Sequence, residues 1–143
     1  MADDALFSGD RILSLIPQRA PVLMLDAFFE GSETEALTGL TVQPDTMFCA
    51  GGRLTEPGLM EHIAQSASAH AGYKALCKQK TAPLGFIGEI KKFRVFRLPA
   101  VGEQLRTSVT VLSEVLNISL ITAEIKAANA PIATCQMKIF VKE

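Results

Sequence analysis

The sequence predicts an α+β fold in which a strongly curved antiparallel sheet wraps round one long central helix. Two observations on the 143-residue chain carry that expectation. Between Pro57 and Tyr73 the only side chain formally charged at neutral pH is Glu61, within a run whose apolar residues fall at helical spacing. From Leu84 onward the hydrophobic period changes to two, the mark of successive strands that are apolar on one face.

Taken in order, Ser8 to Ile16 predicts a short helix. Ser8 and Asp10 are candidate caps, Ile12, Leu13 and Ile16 form one face, and Pro17 ends it. Residues 22–29 are an apolar run expected to form a strand, and Gly31-Ser32 turns the chain into a second strand at about 34–42. A loop from Gln43 to Thr55 leads into the long helix. Thr55 is its candidate cap, Glu56 suits the positive end, and Pro57 is tolerated in the first turn because its missing N–H needs no partner there. The helix is expected to run to about Lys78. Leu59, Met60, Ile63, Ala64, Ala67 and Ala71 share one side, and Ser66, Ser68, Ala69 and Gly72 keep the others small. A surface helix would carry a charged stripe, so this one is expected to be buried on most sides.

Phe86 to Leu98 is the next strand, with alternation broken near Lys91-Lys92 as at a bulge. After a Pro99–Gly102 turn come three alternating segments, 105–111, 121–125 and 133–141. A curved sheet around one apolar helix buries the sheet's inner face and accounts for the helix's lack of charge. That is the hotdog arrangement.

Composition narrows the function classes. The length suits one domain spanning residues 1–143, with no linker-like stretch to divide it. A net charge of -1 removes the electrostatic case for nucleic acid. The acidic start lacks the features of a signal peptide, and no apolar run approaches the ~20 residues of a membrane span. Cys49, Cys77 and Cys135 have neither disulfide-framework nor zinc-site spacing, which suits a reducing cytoplasm. No metal and no bound organic cofactor is expected.

Three motifs in order resemble the 3-hydroxyacyl-[acyl-carrier-protein] dehydratases. Ile16 to Asp26 (I-P-Q-R-A-P-V-L-M-L-D) is similar to the family's opening L-P-H-R-x-P-F-L-L-V-D, with Gln18 in place of the histidine. Glu61-His62-Ile63-Ala64-Gln65 resembles the E-A-x-A-Q of its central helix. Gly85 to Phe93, followed by Pro99 to Leu105, resembles a G-x-x-x-x-I-x-x-x-x-F strand and a P-G-D-x-L turn. The run G-L-M-E-H-I-A-Q-S is closer still to a divergent branch, the dehydratase-like proteins of aryl-polyene and related pigment pathways.

The resemblance implies dehydration of a 3-hydroxyacyl chain, carried on the phosphopantetheine of an acyl carrier protein, to the trans-2-enoyl thioester. In the family a histidine takes the C2 proton, a helix carboxylate helps the C3 hydroxyl leave, and a helix N-terminal amide polarises the thioester carbonyl. Carried over, this makes Glu61 and His62 the candidate catalytic residues. Gly58, Gln65, Phe86, Ile87 and Gly88 become candidates for substrate binding. The resemblance also implies a site between subunits, hence a homodimer or a heterodimer with a related dehydratase.

One departure stands out. The family's histidine lies in H-F-P-G, eight residues before a P-G. Aligned on Pro57-Gly58, Cys49-Ala50-Gly51-Gly52 occupies that motif and Cys49 replaces the histidine; aligned on Glu61, no histidine stands upstream either. The chain's two histidines, His62 and His70, are both on the helix. Two further readings follow: half a site completed by a histidine-bearing partner, or a hotdog thioesterase in which Glu61 activates water.

Each candidate has a plainer alternative. Glu61 can be a carboxylate paired or solvated at the helix edge. His62 points about 100° away from it and can be a hydrogen-bonded core histidine. Gln65, one turn on, can orient Glu61 or simply pack. Nothing near Cys49 activates a thiol, which favours a structural role. Lys91, Lys92, Arg94 and Arg97 form either a solvated strand face or a contact for an acidic carrier protein.

Overall fold

The computed structural model describes residues 5–81 and 83–142. Strand β1 (Phe7–Ser8) precedes a 3-10 helix, Gly9–Ser14. Then come β2 (Ala27–Gly31), β3 (Glu35–Thr41), a two-residue hairpin of β4 (Cys49–Ala50) and β5 (Arg53–Leu54), and helix α1 (Glu56–Cys77). Four long strands complete the order: β6 (Leu84–Val95), β7 (Gln104–Val115), β8 (Ile118–Ala127) and β9 (Ala130–Lys142). Seven strands form one antiparallel sheet in the order β1-β2-β3-β7-β8-β9-β6, which curves about α1. The α+β hotdog arrangement expected from the sequence is the one observed.

Period two does what it should in the last three strands. Leu105, Thr107 and Val109 of β7, Ile121, Ala123 and Ile125 of β8, and Ala133, Cys135 and Met137 of β9 all point inward. They close on Leu54, Leu59 and Ile63 to make the main core. A second cluster holds the 3-10 helix to β2 and α1 through Ile12, Leu15, Phe28 and Ala69. Tyr73 joins it by packing against Phe28, ring centroids 4.9 Å apart. The small residues of α1 permit this closeness: a Cβ on Gly72 would collide with the Leu15 carbonyl. The break in β6 also falls where alternation fails, with the register shifting between Lys91 and Arg94 and Lys92 at φ +52°.

Three local expectations are corrected. The first helix is a 3-10 helix, and Ser8 at its N-cap makes no side-chain bond. Thr55 sits at the N-cap of α1, yet its hydroxyl donates to the Phe48 carbonyl (2.6 Å) rather than accepting from a helix amide. The apolar run 22–29 is a strand only from Ala27. Its first half is irregular because α1 takes its backbone partners. Gln65 Nε2 donates to the Val22 carbonyl (2.9 Å) and Gln65 Oε1 accepts from the Met24 amide (2.6 Å). The Met24 carbonyl in turn meets His62 Nδ1 at 2.7 Å. With these groups satisfied by side chains, the segment needs no ladder.

Candidate active site

The helix turn that carries Glu61 faces two environments. On one side is a cavity of about 270 Å³ between α1 and the inner face of the sheet. Its apolar wall includes Ala64, Ala67 and Ala71 from α1 and Val109, Val111 and Ile121 from β7 and β8. Alanines at this spacing leave the room that larger residues would fill. Glu61 stands at the edge of this wall, part-buried, and accepts a hydrogen bond from Gln65 Nε2 at 2.8 Å. Gln65 thus uses its oxygen on the Met24 amide and its nitrogen on both Val22 and Glu61, so every polar atom of a fully buried amide is satisfied. It fixes the carboxylate to the 22–24 segment without entering the cavity itself.

On the other side His62 is fully buried. Nδ1 faces a carbonyl, which can only accept, so Nδ1 carries the hydrogen and Nε2 accepts from the Thr107 hydroxyl at 2.7 Å. Desolvation pushes its pKa down to about 4 although the Met24 carbonyl favours the charged form. Both ring nitrogens are spent and neither meets the cavity. The expectation of a catalytic His62 is therefore corrected: it is a core histidine that ties α1 to β7 and to the 22–24 segment.

His70 does line the cavity, but at the far end from Glu61. They are nine positions apart, about 13.5 Å along a helix axis. Its Nε2 donates to the Ser32 carbonyl at 2.6 Å, and burial lowers its pKa. The two side chains do not meet at one reacting atom. Cys49, which replaces the family's histidine when the chain is aligned on Pro57-Gly58, lies 3.2 Å from the Gln43 carbonyl, its thiol pushed up by burial and by Asp45. It is neither a base nor an activated nucleophile.

Of the other expected contacts, Phe86 and Ile87 line the cavity from β6. Gly88 does not: it lies beneath the Phe140 ring, where a Cβ would clash. Gly58 is buried against Leu54 and Phe48, apart from the cavity. The sequence motifs gave no role to Gln18, which also lines it. The signal was present, since Gln18 replaces a motif histidine. Among the described residues there is no cluster of three or more His, Cys, Asp or Glu side chains that could hold a metal ion, and no helix long and apolar enough to cross a membrane.

The cavity's β6 wall is a free edge. β6 ends the sheet, with Leu84, Phe86 and Ile87 42%, 53% and 42% exposed. A long edge strand with an unpaired backbone row and apolar side chains is a template for another strand.

Comparison with known proteins agrees with this architecture. A chain of the dehydratase heterocomplex ApeI:P from Xenorhabdus doucetiae superposes with a TM-score of 0.86 at 17% identity, covering 92% of this chain and 91% of that one. The PaaI protein of the E. coli phenylacetic acid degradation operon gives 0.64 at 14% identity, covering 79% and 80%. A hypothetical thioesterase with coenzyme A from Streptococcus pneumoniae gives 0.64 at 8%, covering 80% and 84%. These likenesses show the fold. Curated protein sequences give no match. The family model for the ApeP dehydratase matches residues 10–143, nearly the whole chain, and bears out the divergent dehydratase branch that the motifs resemble: the protein belongs to the ApeP-like dehydratase family.

Proposed function

We propose that this chain supplies the carboxylate half of a heteromeric dehydratase that converts a 3-hydroxyacyl thioester, carried on phosphopantetheine, to the trans-2-enoyl thioester. One observation carries the reading: Glu61 borders an apolar cavity walled by a free edge strand, and no histidine stands beside it. The half-site is chemically specific. Gln65 fixes the carboxyl, the cavity takes an acyl chain, and the missing group is a base for the C2 proton.

A related dehydratase that keeps its upstream histidine is the fitting partner. Pairing along β6 would cover Leu84, Phe86 and Ile87 and extend the antiparallel sheet across the interface. The histidine would then approach Glu61 from the partner's side of the cavity. A heterocomplex is what the X. doucetiae structure contains, which supports the pairing by analogy. Delivery by an acyl carrier protein belongs to the same reading. Exposed Lys92 and Arg94 on β6 offer positive charge to an acidic carrier, whereas Arg97 is engaged with Glu103 at 2.7 Å.

The test is reconstitution. This chain, a histidine-bearing related dehydratase, and the two together are offered a 3-hydroxyacyl thioester, and enoyl formation is followed alongside free thiol release. Enoyl product from the mixture only is the expected result. Full dehydration by this chain alone rules out the half-site, and thiol release without enoyl product points to hydrolysis instead.

A further inference from the structure

The cavity beside Glu61 changes character along α1. Strand β7 runs alongside the helix in the same direction. Its Thr107 meets His62 at 2.7 Å near one end, and its Glu114 meets Lys74 at 3.7 Å at the other. Beyond Glu61, α1 and β7 line the cavity with Ala64, Ala67, Val109 and Val111, interrupted by the Ser68 hydroxyl. At the far end α1, β7 and β8 contribute His70, Lys74, Glu114 and Ser119, faced by Ile139 and Val141 of β9. The polar set is held in place. Lys74 Nζ donates to the Glu33 carbonyl at 3.0 Å, and the Ser119 hydroxyl donates to Glu114 at 3.3 Å. His70 Nε2 donates to the Ser32 carbonyl, which can only accept, so Nδ1 keeps a lone pair. Among the described residues Nδ1 has no partner. It is not sealed off either, because Gln18 Oε1 is the one buried side-chain polar atom there without a partner.

We propose that His70 is a specificity-determining residue that limits acyl-chain length: methyl-ended chains gain affinity along the alanine stretch and stop gaining at its imidazole. This rests on the dehydratase reading above, which sets C3 of the substrate at Glu61. The chain beyond C3 then lies along Ala64 and Ala67, where each CH₂ buried against an apolar wall is favourable. His70 stands about 13.5 Å further along the helix axis. In a series lengthened two carbons at a time from octanoyl, an extended tetradecanoyl chain is the first to reach it. A methyl end brought against the imidazole would displace water from Nδ1 and return no hydrogen bond, and that desolvation cancels the apolar gain. Past His70 the exposed Glu114 carboxylate keeps water at the cavity's end, so no dry apolar surface waits there on the β7 side.

The experiment measures binding of straight-chain acyl-pantetheines, octanoyl to hexadecanoyl, to the heteromeric complex. An amide replaces the thioester and the 3-hydroxyl is absent, so nothing reacts. Each two-carbon step up to dodecanoyl should tighten binding about tenfold, the value for two buried CH₂ groups. The step to tetradecanoyl should gain nothing. With His70→Leu in this chain that step should recover to about tenfold, because leucine offers an apolar surface of similar bulk. Ser32 is exposed, so water can take the place of the lost imidazole on its carbonyl. His70→Met serves where the leucine variant fails to fold. Steady tightening through tetradecanoyl in the native complex, a break at a shorter chain, or a break that His70→Leu leaves in place would each overturn the limit. Binding is read apart from turnover. If affinity ignores chain length altogether, or the native complex forms no enoyl product from a 3-hydroxyacyl thioester, the dehydratase reading fails. If the break exists and the variant does not move it, only the role of His70 fails.

Discussion

Glu61 and His62 are chain neighbours with similar chemical capability, yet α1 sends them to opposite situations. His62 has every polar atom occupied and no surface exposed. Around it the bonding continues: Ser66 donates to the His62 carbonyl at 2.8 Å, and Thr38 lies 2.8 Å from the Ser66 hydroxyl. Glu61 has one protein partner and an open side toward the cavity. A saturated polar network fixes a structure, whereas an unsaturated group at an apolar cavity has capacity left for a ligand. The 100° step between adjacent helical residues separates the two roles.

The largest expected effect breaks this comparison on the cavity side. Glu61→Gln keeps the size and the contact with Gln65 but removes the proton. In the reconstituted complex its rate of enoyl formation should fall about 10²–10⁴-fold, the range for a general acid–base group. Its Tm should stay close to that of the native protein, since a part-exposed carboxylate contributes little to folding. Rates near native would remove Glu61 from the chemistry.

On the core side the pattern should invert. His62→Leu strands the Met24 carbonyl and the Thr107 hydroxyl without partners. Urea unfolding should show a loss of about 2–4 kcal/mol, while the folded fraction of the complex keeps its turnover. A variant that folds normally but loses activity would reverse the assignment of the two residues.

His62 also gives the comparison a pH signature. Its pKa is lowered in the fold, from 6.5 to about 4. Above pH 6.5 the imidazole is neutral in both states and its contribution is intact. As pH falls from 6.5 toward 4 the unfolded chain binds the proton first, so stability drops, by about 3 kcal/mol in all. His62→Leu should flatten that part of the stability profile. An unchanged slope in the variant would show that other groups, with His70 the first candidate because burial lowers its pKa too, carry the dependence.

Much of the fold was legible because each decisive feature was a period. The alternation from Leu105 to Val141 marked β7 to β9, and the single charge between Pro57 and Tyr73 marked a helix covered on most sides. What escaped was set by partners distant in sequence. Residues 22–26 have the composition of a strand, but Gln65 and His62, about 40 positions away, take the Val22 carbonyl and both backbone groups of Met24. Nor could local pattern show that His62 would find Met24 and Thr107 and leave the site. Gln18 was visible as a departure from a motif. Its relevance comes from sharing a cavity with Glu61, which no local spacing reveals.

Cys49 should have the smallest effect, and for that reason it sharpens the comparison most finely. Aligned on Pro57-Gly58 it replaces a catalytic histidine, so a role as substitute base or nucleophile would make Cys49→Ala nearly as damaging as Glu61→Gln. The structure argues otherwise. Its thiol approaches only the Gln43 carbonyl, and both burial and Asp45 favour the neutral form. Neutral thiols are poor nucleophiles and poor bases at neutral pH. Cys49→Ala should therefore leave enoyl formation by the complex within about twofold of native, and stability within about 1 kcal/mol, the worth of one weak bond. A loss of a hundredfold or more would place the missing base in this chain after all, and the half-site would have to be given up.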